Sequence, residues 1–490
     1  MRNRISVILF AFIVIACSKE NKYLTINLNV SNYSKDYLTF VKDTIGYGLS
    51  YYTDTIRIDN NGNFKIKTKP LNSNALIILQ DSIDVRLTIP KAVNSKIDIE
   101  IDMLKPDSIK IIGKQAPFIK YIQDQQKYWK KIYYEKANRH TELASQNNQS
   151  PIYHAVQDTI TELRMRYLYD YFKNINIANK KEFIDEEYNS LLYSNLYYRM
   201  SGQAAKIINS LAFYQQTNAS QEKNILTYSD KVNFSNTNLL SITTYRDFVN
   251  DFIMNAVRVE NPEGDFSSYE FYLRNGLIVI DKWFEIPQIN TIQKIIFINY
   301  LIETAKIFKG HLNIYEYQMA IENLRINDFA KNYCNVLDEK LHQINESLVK
   351  FSPGVKAPDF ELKDKVGKIY KLSDFRNQIL IIDVWASWCG KCISSFPTWN
   401  SLVENYSENK NIHFLTVNAD DNPEKWQTSL EKYKPKGQQL YVGEKGFNSQ
   451  FIKSFEIVAI PQCIFIDQEG KIISIVTSVT DIEKTIQEIE

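Results

Sequence analysis

The chain has 490 residues, of which 44% are apolar and 13% aromatic, and it balances 58 Lys and Arg against 57 Asp and Glu. That balance leaves no global field to recruit nucleic acid or an anionic surface, while the length allows ample core and two to four domains. With five cysteines in all, the fold is not one stapled by disulfides.

At the N-terminus Arg2 and Arg4 precede an apolar run from Ile5 to Ala16. This pattern predicts a signal peptide over residues 1–16, and the run is too short to span a hydrocarbon core about 30 Å thick. Ala16 directly before Cys17 resembles the bacterial lipobox. The resemblance implies cleavage before Cys17, lipidation of that cysteine, a short linker over 17–21 and attachment to a membrane through the lipid. Ordinary cleavage near Ala16, with Cys17 an incidental thiol, is the plainer alternative. Ser18 in place of Asp favours the outer over the inner membrane, by resemblance to Gram-negative lipoproteins. Export implies a periplasm-facing location in the cell envelope, a setting where disulfides persist.

From 22 to 112 the hydrophobic period is close to two, as in Leu24, Ile26, Leu28 and Val30 and again in Ile97, Ile99 and Ile101. Asn60-Asn61-Gly62, between Ile56, Ile58 and Phe64, Ile66, suits a hairpin turn. The region is predicted to be an antiparallel β domain, and its pattern resembles the β-sandwich modules that precede thioredoxin-like domains in Gram-negative lipoproteins. Beyond Gly113 the alternation stops, and 113–350 reads as an all-α region. Its last segment spaces Phe329, Tyr333, Val336, Leu341, Ile344 and Leu348 at helical intervals. Cys334 falls at the same spacing and reads as a small buried hydrophobe. The many tyrosines here suit either a core or a ligand groove, and aromatic stripes at helical spacing favour core.

At Ser352 the pattern changes to short β-rich segments alternating with helices, which predicts an α/β domain over 352–490. Ile379 to Trp385 is a near-continuous apolar run, as expected of a strand buried on both faces. Ala386, Ser387 and then Trp388-Cys389-Gly390-Lys391-Cys392 follow, and after them a helical pattern through Ile393, Phe396, Leu402 and Val403. Strand, CxxC, helix is the arrangement disulfide exchange needs. The open N–H groups at a helix start stabilise a thiolate, lowering a cysteine pKa from about 8.5 to about 3.5–7.5. Cys389 occupies that start. Cys392, one turn on, lies where it can attack a mixed disulfide and release the partner. Half of a zinc site is the rival reading, but no second pair of Cys or His ligands accompanies the motif, so no metal is expected. Lys391 reads equally as a tuning charge or a solvated side chain.

APDFEL at 357–362, LSDF at 372–375, DVWASWCGKC at 383–392, FP at 396–397 and IPQCIFIDQEGKI at 460–472 together resemble the TlpA/ResA-like redoxins of the thioredoxin superfamily. The resemblance spans about 352–490. It implies a cis Ile460-Pro461 peptide facing the CxxC, with Ile460 and Trp388 contacting an extended substrate. It also implies that Asp383 manages the proton of the resolving cysteine, since a carboxylate in an apolar strand holds its proton near neutrality; an Asp that merely bonds nearby backbone is the alternative. The chain departs from the family pattern at Lys391, where proline is common, and at Ser395, where glutamate is. The 72-residue separation of Cys389 and Pro461 leaves room for an added strand and helix around Ile412 to Tyr433. Cys463 lies in an apolar run and is expected to be packed and inert.

The predicted architecture is multidomain: an N-terminal antiparallel β domain, a central all-α region and a C-terminal α/β thioredoxin-like domain. The predicted function is thiol-disulfide oxidoreductase, reducing protein disulfides in the envelope through Cys389 and Cys392. It needs no diffusible cofactor and draws electrons from another envelope thiol carrier. The alternative is an envelope lipoprotein that binds a peptide or glycan and carries a vestigial thioredoxin domain, against which an intact CxxC argues. A peroxidase of the peroxiredoxin type would use Thr-x-x-Cys with an arginine partner, and no such cluster occurs.

Overall fold

The structure is a computed structural model. It describes residues 23–127, 151–204 and 233–489, apart from 44–46, 50, 60–62, 72, 80–84, 107, 126, 267, 309–311 and 477–478. The expected signal peptide and Cys17 lie outside the described residues. The chain divides into two compact units, residues 1–137 with 166–187 and residues 138–165 with 188–490.

The first unit holds eight strands, β1 (Leu24–Ser31), β2 (Tyr37–Asp43), β3 (Tyr51–Arg57), β4 (Asn63–Thr68), β5 (Ala75–Leu79), β6 (Val85–Ile89), β7 (Ile97–Asp102) and β8 (Lys110–Ile112), and buried residues alternate with more open ones along β1, β2, β4, β5, β6 and β7. They form two four-stranded sheets, ordered β4-β1-β7-β8 and β3-β2-β5-β6. Two expectations are corrected. The domain is not purely antiparallel, because β1 runs parallel to β7 with Ile26 opposite Ile97 and Leu28 opposite Ile99. A period of two reports which face is buried and is blind to strand direction. Nor do the arms flanking Asn60-Asn61-Gly62 pair as a hairpin. Asp59 N–H does donate to the Asn63 carbonyl at 2.7 Å, yet β3 pairs with β2 and β4 with β1. Phe64 and Ile66 are buried opposite Leu28 and Ile26, so burial outweighs the local turn in choosing the partner. The same unit holds an aromatic cluster in which Phe118, Phe172 and Phe183 lie 4.6–5.8 Å apart between ring centroids.

Helices α1 (Pro151–Phe172) and α2 (Lys180–Ala204) contribute to both units. The second unit continues with α3 (Thr243–Glu260), α4 (Tyr269–Trp283), α5 (Pro287–Phe308), α6 (Ile314–Arg325) and α7 (Lys331–Lys350). Ser268 caps α4 by accepting Phe271 N–H, and Asn313 caps α6 by accepting Glu316 N–H. Tyr245, Tyr269, Tyr272 and Tyr317 are buried, which places these tyrosines in the core. The buried stripe of α7 is Cys334, Leu337, Leu341 and Ile344; Phe329 is exposed. A short 3-10 turn at Asp328–Ala330 advances the chain by a different angle per residue, so the helical phase starts afresh at Lys331.

Past Lys350 the chain builds β9 (Glu361–Lys363), β10 (Ile369–Lys371), β11 (Ile379–Trp385), α8 (Gly390–Asn405), β12 (Ile412–Asn418), α9 (Pro423–Tyr433), β13 (Gln438–Tyr441), α10 (Gln450–Ser454), β14 (Gln462–Ile466), β15 (Ile472–Val476) and α11 (Val479–Ile489). The seven strands lie in the order β10-β9-β13-β12-β11-β14-β15. Central β11 runs parallel to β12 and antiparallel to β14. The apolar run of β11 is explained by burial on both faces. Leu380, Ile382 and Val384 join Phe360, Val417 and Phe451 in one core; Ile381 and Trp385 join Cys392, Phe396 and Trp399 in the other. Phe351, one residue past α7, packs into the first of these cores. Phe351→Ala in the full chain should therefore destabilise the C-terminal fold, by about 3–5 kcal/mol if the site does not collapse, and so lower its unfolding midpoint, as denaturation followed by hydrogen exchange of β11 would register. An unchanged midpoint would place Phe351 outside the core.

Candidate active site

β11 ends at Trp385, and Ala386, Ser387 and Trp388 carry the chain to α8, whose N-cap is Cys389. The Cys389 N–H donates to the Ala386 carbonyl at 3.0 Å, and Cys389 Sγ accepts the Cys392 N–H at 3.1 Å. A sulfur thus sits where a helix presents unpaired N–H groups. Cys389 and Cys392 form a disulfide with their Cα atoms 5.3 Å apart. Cys389 keeps 6% of its surface open and Cys392 none. The helix registers the pair in this order, with the outer sulfur at the cap and the inner one against Trp385 and Phe396.

Asp383 lies two residues before Trp385 on β11, hence on the same face of the sheet as Cys392. It is buried, and burial alone pushes its carboxyl up to about 7. Cys463 stands opposite it on β14. Burial raises that thiol well above its ordinary range, and the Asp383 carboxylate adds to the effect. Cys334 is also buried and free, and burial raises its thiol as well.

The Ile460-Pro461 peptide is cis. Because β14 runs antiparallel to β11 with Gln462 opposite Val384, Pro461 lies at the end of the sheet from which the CxxC loop leaves. Ile460 packs partly buried against the core that holds both cysteines. Trp388 is 62% exposed, and its ring centroid lies 5.8 Å from that of Phe447. Lys391 is exposed. Ser395 Oγ donates to the Cys392 carbonyl at 2.7 Å. β12 and α9 occupy the stretch from Ile412 to Tyr433. Among the described residues no group of three or more His, Cys, Asp or Glu is arranged to hold a metal ion.

Two neighbours of the motif escaped sequence reasoning. Phe447 comes from a loop after β13, and Gly446 before it has φ +50, where an added Cβ would stand 3.0 Å from Asp421 N and 3.1 Å from the Ala419 carbonyl. The glycine lets this loop close on the end of β12. Asp420 accepts the Ser387 N–H at 2.9 Å and the Ser387 hydroxyl at 2.8 Å. Asn-Ala-Asp at the end of a parallel strand was its only signal.

Residues 353–475 match the model of the AhpC/TSA family, so the C-terminal region carries a redoxin domain. The chain is similar to the thiol-disulfide oxidoreductase ResA of Bacillus thuringiensis subsp. konkukian, 28% identical over 124 residues that cover 25% of this chain and 69% of the relative. It is also similar to ResA of Geobacillus kaustophilus, 26% identical over 140 residues, covering 28% and 78%. Among solved structures, a thiol-disulfide oxidoreductase from Bacteroides fragilis aligns at 27% identity over 28% of this chain and 99% of its own, with a TM-score of 0.27.

The Asp383 carboxyl generates a pH test. Its unfolded value is about 3.9, so from there to about 7 the native state holds a proton that the unfolded state has lost. The associated stability is present below about pH 4 and is lost as pH rises through about 7. Asp383→Asn should gain on the parent by up to about 4 kcal/mol near pH 8 and by little near pH 4. Taking the difference between the two proteins cancels Asp251 of the helical region, which burial also pushes up to about 7. Chemical denaturation at both pH values gives the comparison, and a pH-independent difference would deny Asp383 the proton.

Proposed function

We propose that the redoxin domain makes this chain a thiol-disulfide oxidoreductase that reduces protein disulfides in the cell envelope. The observation that carries this reading is the Cys389–Cys392 disulfide at the N-cap of α8, with the other described cysteines buried and free.

In the dithiol form, the Cys389 thiolate at the helix start attacks one sulfur of a substrate disulfide, and the other leaves as a thiolate that takes up a proton. Cys392 gives its proton to the Asp383 carboxylate and attacks Cys389 Sγ. The mixed disulfide breaks, the second substrate sulfur leaves and is protonated, and the Cys389–Cys392 bond re-forms. Two electrons pass from the protein to the substrate, and a thiol carrier of the envelope returns them. Trp388, Ile460 and the bent backbone at Pro461 form the contact for an extended segment of the substrate. Lipidation at Cys17 would hold the chain on the membrane, periplasm-facing, with the outer membrane favoured.

Three measurements test the reading. A glutathione redox titration should give a potential near the reducing limit of the CxxC range, about −270 mV, whereas a value near about −120 mV would make the protein an oxidant. Cys392→Ser should accumulate mixed disulfides through Cys389, visible by nonreducing electrophoresis, and adding Cys463→Ser should leave their yield unchanged. A sharp rise in the double variant would make Cys463 a second resolving thiol. Cys17→Ser should move the protein from the membrane to the soluble fraction, and persistent membrane association would put the anchor elsewhere.

A further inference from the structure

The loop between β11 and Cys389 is gripped from the next strand. Ser387 donates both its backbone N–H and its hydroxyl to the two oxygens of Asp420, at 2.9 and 2.8 Å. One of those oxygens also accepts the Asn418 side-chain N–H at 2.9 Å, and Asn418 Oδ1 in turn accepts the Asp420 N–H at 3.0 Å. The backbone of Asn418 is tied to the sheet, its carbonyl accepting Val442 N–H at 3.1 Å, while Ala419 N–H donates to the Trp385 carbonyl at 2.8 Å. Asp420 is 1% exposed and Asn418 fully buried. Water does not compete for these bonds, and hydrogen bonds to a carboxylate are about twice as strong as neutral ones.

We propose that Asp420 is a positioning residue for disulfide exchange, holding Ser387 so that Trp388 and Cys389 keep their places when the disulfide opens. This inference rests on the functional reading above. In the oxidised form the Cys389–Cys392 bond itself fixes the loop. On reduction that tether is gone, and the place of Cys389 at the helix start depends on the Cys389 N–H bond to Ala386 and on the grip at Ser387. The grip therefore matters most in the dithiol form, the form that attacks. Trp388 lies between the gripped residue and the nucleophile, so its stance over Phe447 is set by the same contact. A protein substrate, which must dock on Trp388 while meeting Cys389, needs this order; a small disulfide reagent needs only the sulfur. The sign of the charge effect separates positioning from electrostatics. Replacing the carboxylate by an amide removes a negative charge beside the loop, which favours the Cys389 thiolate. A slower exchange with protein substrates would run against that effect.

The test uses the full chain and its Ser387→Ala, Asp420→Asn and doubly substituted variants. Hydrogen exchange by mass spectrometry of the reduced proteins reads the segment 386–389, and the ratio of kcat/KM for insulin reduction to the rate constant with an aromatic disulfide reagent reads the docking. In Asp420→Asn, exchange should quicken and the ratio should fall, each about tenfold, as expected for the loss of a charge-assisted hydrogen bond. Ser387→Ala, which removes the hydroxyl's bond to the carboxylate and keeps the backbone bond, should also lose about tenfold, and the double variant should be no worse than Asp420→Asn. Unchanged exchange overturns the proposal, and so does an equal fall in both rates, the mark of a merely structural role. If Asp420→Asn does not fold, Ser387→Ala decides in the same way. A parent protein that fails to reduce insulin would overturn the functional reading, and the exchange rates would still decide the grip.

Discussion

A helix cannot satisfy the N–H groups of its first turn from within, and the C-terminal fold turns on which atom is brought to them. Here it is Cys389 Sγ, at the N-cap of α8 and accepting the Cys392 N–H. For the sulfur to be there, β11 must end at Trp385, the loop must be short, and the helix must start at Gly390. Each condition is met by something outside the motif. Trp385 and Phe396, ring centroids 5.0 Å apart, fix strand against helix, and Ser387 is held from β12. The CxxC motif supplies two thiols, and the sheet supplies their geometry.

The strict alternation of β11 sorts its residues by task. Ile382 and Val384 face the core shared with Phe451 and Val417. Asp383 faces the other side, with Trp385 and Cys392, where no solvent offsets its charge. A one-residue slip of register would send Asp383 into the opposite core, away from the face that carries Trp385. The raised proton affinity of Asp383 thus follows from the pleat of the strand together with the covering helix, and the neighbouring Cys463 thiol is raised by the same burial.

The rest of the chain shows how far local pattern reaches. Alternation at Leu24, Ile26 and Leu28 identified a strand with one buried face, and that face is buried. It could not say that β1 would lie parallel to β7, nor that the arms of Asn60-Asn61-Gly62 would join different sheets. Spacing on α7 located the buried Cys334, Leu341 and Ile344, but continued the stripe backwards into Phe329, where a 3-10 turn resets the phase. The strand partners were chosen by distant parts of the chain, whereas the stripe was broken by a local change of helix type that an apolar spacing does not register.

The sequence by itself determined the elements around Cys389: an apolar run long enough for a doubly buried strand, two cysteines one helical turn apart, and an acid set in the strand six residues before the first of them. These are properties of neighbours along the chain, and short-range backbone geometry converts them directly into structure. Tertiary structure alone decided that Asp420 would hold Ser387, that Phe447 would lie under Trp388, and that Cys463 would stand beside Asp383. Those contacts join residues far apart in sequence, and their partners are chosen by which faces the packed sheet and its loops bring within hydrogen-bonding or van der Waals reach, information that no local period carries.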